Sequence, residues 1–252
     1  MTWIWLRGLG RESAHWGGLP RKVEQATGDK VIALDMPGVG RKRDQRCPLR
    51  MDAVVRQLRQ ETAGLDNIKI LAMSLGGSVA LNWAASDARV KQVVLVNSSS
   101  KLSFFTKRLR FIPAVRMLSS YLSKTSHEER ERKVLATLSN NSRASAQVNS
   151  LWAEVARRRP VALTQVFRQI ALAGFSRLPT PSQMVHCSVQ VFASRNDRLV
   201  SADCSRKLAD YYQCSLVTHP EAGHELALDD PDWLLNQIKS FSVSGAITPA
   251  GC

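Results

Sequence analysis

The chain has 252 residues, 44% hydrophobic and 22% charged, with a formal net charge of +14. At about 150 residues per domain this allows one large domain or two small ones, with a full core that needs no disulfide or metal. Counts of 14 Gly and 10 Pro exclude collagen-like and low-complexity classes. The apolar share excludes a disordered chain, and no apolar run approaches the ~18 residues of a membrane helix. The apolar start, Trp3 to Leu6, is short and has no basic stretch ahead of it. It is unlike a signal peptide, so a cytoplasmic protein with no membrane span is expected.

In chain order, Trp3–Leu6 reads as a strand closed by Gly8 and Gly10, and Val31–Leu34 as a second closed by Pro37-Gly38. Residues 51–63 place Met51, Val54, Val55 and Leu58 on one helical face. Ile68–Ala72 is a third strand, Gly77–Ala84 a helix and Val93–Val96 a fourth strand. Short apolar strands without polar alternation are buried on both faces, as in a parallel sheet with helices on each side. The pattern breaks at Asn97. Residues 101–175 hold no convincing strand and read as amphipathic helices, among them Glu128–Leu138, Ser150–Arg158 and, after Pro160, Val161–Leu172. The sheet pattern resumes with the strand Val189–Ala193, the helix Ala202–Tyr212, the strand Ser215–Thr218 and the helix Trp233–Phe241. The expected fold is α/β: a mostly parallel sheet flanked by helices, with residues 1–100 and 180–242 as core. Residues 101–179 are an inserted helical cap, and 243–252 a fraying tail.

Charge is unevenly spread. Residues 101–178 hold 15 Lys and Arg against 4 Asp and Glu, a balance of +11, and the rest supplies +3. A basic segment in a near-neutral protein points to an anionic partner or substrate, or to a solvated basic face. It lacks a helix-turn-helix or RNA-binding signature, so no specific nucleic acid is expected. Cys47, Cys187, Cys204, Cys214 and Cys252 form no Cys-x-x-Cys pair, and the histidines miss zinc-finger spacing. Reduced thiols and no metal site are expected.

The strongest chemical signal is Ala72-Met73-Ser74-Leu75-Gly76-Gly77, between a buried strand and a helix. It has the form of a nucleophile elbow, G-x-S-x-G, with Ala in place of the first Gly. Such a turn strains its central residue, so its neighbours two positions away must be small. Ala72 meets that need at some expected cost in strain, and Gly76 meets it freely. Ser74 then projects at a helix N-terminus, where developing negative charge is favoured. A nucleophilic serine needs a base, and the base an orienting acid. After such an elbow the acid and then the histidine follow in chain order. His224, in the small-residue loop Pro220–Glu225, is the candidate base, since His219 lies too near its strand end. Asp197 is the only carboxylate in Ala193–Val200 and is the candidate acid. Asp229-Asp230 is expected to cap the last helix ahead of Pro231. Backbone N–H groups of Leu75 and Leu9 are the candidate oxyanion donors.

These residues make the chain resemble an α/β-hydrolase of the small helical-cap type over nearly its whole length. The resemblance rests on the Gly8-Leu9-Gly10 turn, Leu34–Gly40, the elbow, the Asp197 loop and Gly223-His224. It implies a serine carboxylic-ester hydrolase that forms an acyl-enzyme and needs no cofactor, acting on a small-molecule ester. Where the family usually has His before the oxyanion turn, this chain has Arg7. Arg7 then either rebuilds that structure or anchors a substrate carboxylate. Arg11–Trp16 lies where family members carry a Trp that packs near the pocket, which implies Trp16 and His15 as substrate contacts, with a packed or surface His15 as the alternative. The chain also resembles pimeloyl–carrier-protein methyl ester esterases, which implies an acidic acyl carrier protein docking on Lys107, Arg108, Arg110, Arg157, Arg158 and Arg159. Alternatives are a lyase or a thioester or lactone hydrolase on a small anionic metabolite, or a non-catalytic binding protein of the same fold.

Overall fold

The computed structural model describes residues 1–122 and 125–244. The expected tail falls, beyond residue 244, outside the described residues, as does Cys252. Six strands form one parallel sheet in the order β2-β1-β3-β4-β5-β6. They are β1 Thr2–Leu6, β2 Lys30–Leu34, β3 Ile68–Met73, β4 Val90–Val96, β5 Ser188–Ser194 and β6 Leu216–His219. The helices are α1 Leu19–Thr27, α2 Met51–Glu61, α3 Leu75–Ser86, α4 Phe105–Arg108, α5 Phe111–Leu122, α6 His127–Leu138, α7 Ser142–Arg158, α8 Leu163–Phe175, α9 Ala202–Tyr212, α10 Leu226–Asp229 and α11 Pro231–Ser244.

Strand alternation sorts the core into two layers. Trp3, Trp5, Leu71, Met73, Val94, Val96 and Phe192 face one side, under Leu19 and Val23 of α1 and Leu234 and Ile238 of α11. Ile4, Leu6, Ile70, Val93, Leu95 and Val191 face the other, under α2, α3 and α9. A sheet buried on both faces explains why its strands show apolar runs rather than alternation. All connections are parallel crossovers, so the loops at the carboxyl edge of β1, β3, β5 and β6 gather on one rim.

Between β4 and β5 the chain runs through α4–α8 with no strand among its described residues. Helix α7 begins at Ser142, eight residues before the expected start. Asn141 caps it by accepting from Ala144 N at 3.0 Å. Its first half is Ser- and Asn-rich and shows no apolar period. Helix α5 falls within the segment expected to be helical. Its Pro113 sits in the first turn, where no intrahelical N–H is missing. Val134 and Leu138 of α6 pack with Leu199, Val200 and Cys204, tying this segment to the loop after β5.

The Asp pair divides. Asp230 caps α11, accepting from Trp233 N at 2.9 Å. Asp229 instead accepts from Gly223 N at 2.6 Å and Asn140 N at 2.9 Å, joining the loop after β6 to the α6–α7 turn. Cys47, Cys187, Cys204 and Cys214 are free.

Candidate active site

Ser74 stands between β3 and α3 with φ 53° and ψ −121°. A positive φ at a non-glycine residue costs about 1–3 kcal/mol and persists only where the surroundings impose it. Here they do. Ser74 N donates to Val96 O at 2.9 Å. A Cβ on Gly76 would lie 2.8 Å from Arg7 O, and one on Gly8 2.9 Å from the Ser74 Cβ. Both glycines are therefore required by close approach of backbone to backbone and to the serine. Ala72 does not store the expected strain. It is a buried strand residue paired with Leu6 and Leu95, and the positive φ falls on Ser74.

Asp197 and His224, 27 residues apart in sequence, meet at the rim: His224 Nδ1 lies 2.7 Å from Asp197 Oδ2. Both are buried. Asp197 Oδ1 accepts from Leu199 N at 2.8 Å and Val200 N at 2.9 Å, which fixes the carboxylate plane. Asn97, at the end of β4, completes the frame. Its Nδ2 donates to His224 O at 2.9 Å and to Ser194 Oγ at 3.0 Å, and its Oδ1 accepts from Ser194 N at 2.7 Å. Burial of the imidazole pulls the His224 pKa down, but the Asp197 carboxylate, aided by Glu225, outweighs it and lifts the value above 6.5.

Ser74 and His224 line one cavity of about 250 Å3. Among the described residues no hydrogen bond links the two. Such contacts are often long before substrate binds and tighten in the complex. Apolar side chains from the β4–β5 segment wall the cavity, including Leu109, Met117, Val166 and Ile170. Phe105, Phe111 and Phe167 stand at its mouth and are more than half exposed. A second recess of about 70 Å3 adjoins Ser74, bordered by Leu9, Leu75, Ser78, Arg108 and Gln169. Leu75 opens α3, where N–H groups have no intrahelical partner. The turn carrying Leu9 is held by Arg11 N donating to Gly8 O at 3.2 Å and Gly10 N donating to Gln169 Oε1 at 2.9 Å. Among the described residues nothing accepts from Leu9 N.

Arg7 is not a free anchor. Its Nη2 reaches both oxygens of Glu225 at 2.7 Å, and the pair is buried. The Arg7 guanidinium also lies 4.6 Å above the Trp16 ring. Burial raises the Glu225 pKa, but Arg7 and Arg11 together overcome it and hold the carboxyl below 4.5. Trp16 thus packs beneath Arg7 and edge-on to Trp5, not against the cavity. His15 lies outside the cavity as well. It packs edge-on to Trp152 at 4.8 Å, beside Arg11, which pairs with Glu131 at 2.8 Å. Burial, then the charges of Arg11 and Arg7, keep its pKa well below 6.5. The sequence offered no sign of Glu225 or Glu131 as partners. Their only signal is an acidic residue beside the candidate histidine and one of three glutamates on α6.

Of the six cations expected to dock a carrier protein, four are paired within the chain. Arg157 and Arg158 pair with Glu154, Arg159 with Glu12, and Lys107 with Asp203. Among the described residues no helix is long and apolar enough to cross a membrane, and no three His, Cys, Asp or Glu side chains are grouped to hold a metal ion.

Residues 4–237 match the alpha/beta hydrolase family. No curated protein matches by sequence. Among solved structures, the 2-hydroxy-6-oxo-6-phenylhexa-2,4-dienoate hydrolase of Rhodococcus sp. strain RHA1 is similar with a TM-score of 0.76 at 21% identity, covering 96% of this chain and 90% of that one. The esterase from Exiguobacterium antarcticum is similar with a TM-score of 0.77 at 12% identity, covering 96% and 91%. The meta-cleavage product hydrolase of Pseudomonas fluorescens IP01 is similar with a TM-score of 0.77 at 17% identity, covering 97% and 91%. At these identities the likeness is one of fold. The match over residues 4–237 makes this chain a member of the alpha/beta hydrolase family.

Proposed function

We propose that the chain is a serine hydrolase of carboxylic esters, with Ser74 as nucleophile, His224 as base and Asp197 as the acid that orients it. The observation that carries this reading is that His224, held by the buried Asp197, lines one largely apolar cavity with the strained Ser74. Ser74 Oγ attacks the ester carbonyl while its proton passes to His224 Nε2. Asp197 holds the proton on Nδ1 and stabilises the imidazolium. The N–H groups of Leu9 and Leu75 receive the oxyanion. Collapse of the tetrahedral species breaks the acyl–alkoxide bond, and the imidazolium returns its proton to the alkoxide. Water then attacks the acyl-enzyme by the same route, with His224 taking a proton, and releases the acid. No step calls for a cofactor. The helices between β4 and β5 act as a cap whose apolar walls favour an apolar portion of substrate.

The pairing of Arg7 with Glu225 favours this reading over elimination on an anion anchored by Arg7. The internal pairing of Lys107 and Arg157–Arg159 favours a small ester over a carrier-borne one. The test is labelling with a fluorophosphonate probe read by intact mass. One adduct is expected on the wild type and none on Ser74→Ala. Wild-type protein that is folded and stays unlabelled overturns the reading.

A further inference from the structure

We infer that the recess beside Ser74 is a carboxylate-binding subsite in which Arg108 is the cation, so that the substrate is an ester carrying a second, ionised carboxylate. This rests on Ser74 as the reacting residue. The two fully buried arginines beside the site face carboxylates: Arg7 has Glu225 and Arg11 has Glu131. Arg108 has none among the described residues. Its Nη2 donates to Ala173 O at 2.9 Å, and its Nε is buried with no partner. A half-buried guanidinium without a counter-charge is unfavourable, and burial lowers its pKa accordingly. Its planar fork matches a carboxylate in a bidentate manner.

The surroundings fit that ligand. Arg108, Ser78 and Ala173 border the recess at Ser74 and also a small outer one that holds Lys101, Arg177, Ser100 and Ser176. No acidic side chain borders either recess. Inside, Gln169 is fully buried, its Oε1 taken by Gly10 N and its Nε2 without a partner. Ser74 therefore borders both a largely apolar cavity and a recess in which Arg108, Ser78, Ser99 and Gln169 stand among apolar side chains. An ester bond seated at Ser74 sends one side into each.

The test measures binding, with turnover removed by Ser74→Ala. Calorimetry compares monomethyl adipate with methyl hexanoate, where the anion is on the acyl side, and 4-acetoxybutanoate with pentyl acetate, where it is on the alcohol side. In at least one pair the anionic ester is expected to bind at least tenfold more tightly at low salt. Adding Arg108→Gln is expected to lower that anionic-to-neutral ratio at least tenfold, with Arg108→Lys between. Equal affinities in both pairs overturn the subsite, and they do so even if Arg108→Gln fails to fold. A ratio unmoved by Arg108→Gln overturns it too. Failure of the nucleophile reading shows separately, as loss of fluorophosphonate labelling, and leaves these binding ratios untouched.

Discussion

The rim of the sheet and the helical segment above it handle polar groups in opposite ways. At the rim the side chains that frame the Ser74 loop are buried and tied together: Asp197 accepts three hydrogen bonds, Asn97 ties β4 to β5 and the His224 loop, and Arg7 closes on Glu225. In the segment between β4 and β5, Phe104, Phe111 and Phe175 are largely exposed, and Glu154 with Arg157 and Arg158 forms its ion pairs in water. The rim is over-determined, and that is what a strained φ at Ser74 requires. The segment has few such constraints. On the proposed function the difference separates two tasks: the rim fixes the chemistry, and the segment selects what reaches it.

The comparison predicts that damage to the rim is severe. Asp197→Asn keeps the shape but removes the charge that orients and sustains the imidazolium. kcat is expected to fall about 10⁴-fold. The pH profile gives the sharper test. Because Asp197 lifts the His224 pKa above 6.5, the wild-type kcat/KM is expected to decline as pH falls through that raised value, where the base becomes protonated. In Asp197→Asn this acidic limb is expected to move to lower pH. A limb that stays in place would separate His224 from catalysis.

Much of the rim was legible because its parts are local. Three apolar runs end in loops, and each loop has one residue suited to the chemistry: Ser74 in the small-residue turn, Asp197 as the lone carboxylate, His224 after Gly223. What escaped was pairing at a distance. Arg7 and Glu225 are 218 residues apart, and nothing near Arg7 says that its charge is already met. His15 and Trp16 follow the glycine turn, but only the fold shows that the turn tucks them under Arg7 and against Trp152. Asp229 escaped in the same way. It follows the helical rules for a cap, yet the nearer Asp230 fills that role and leaves it for Gly223. In the segment, the first half of α7 lacked an apolar period because it is built largely of Ser, Ala and Asn, so its start was placed too late.

Glu225→Gln tests the rim at a residue outside the proposed Ser74, His224 and Asp197 set. It leaves a buried guanidinium unpaired, a change of about 3–5 kcal/mol in stability, and the melting temperature is expected to fall by about 10 °C. The pH dependence has a definite sign. Glu225 is held below 4.5 in the fold. Its contribution is therefore complete above the unfolded-state value and is lost as pH falls through the folded-state one. Replacing both partners, Arg7→Met with Glu225→Leu, is expected to recover most of the lost stability. If it does not, Arg7 does more than hold Glu225.

Glu154→Ala is the matching change in the segment, and the smallest effect. Arg157 and Arg158 both hold this carboxylate, and they keep its pKa below the ordinary value. All three side chains are exposed or nearly so, so water screens the attraction and ordering three long side chains offsets it. Thermal melting is expected to be unchanged within error. Two cations are thereby freed with no change in the fold, so the same variant isolates the effect of charge on this face. If affinity for anionic esters at Ser74 stays constant in Glu154→Ala, the surface charge of α7 plays no part in selecting substrate. Selection then lies with the few groups that border the recess itself, Arg108 first among them.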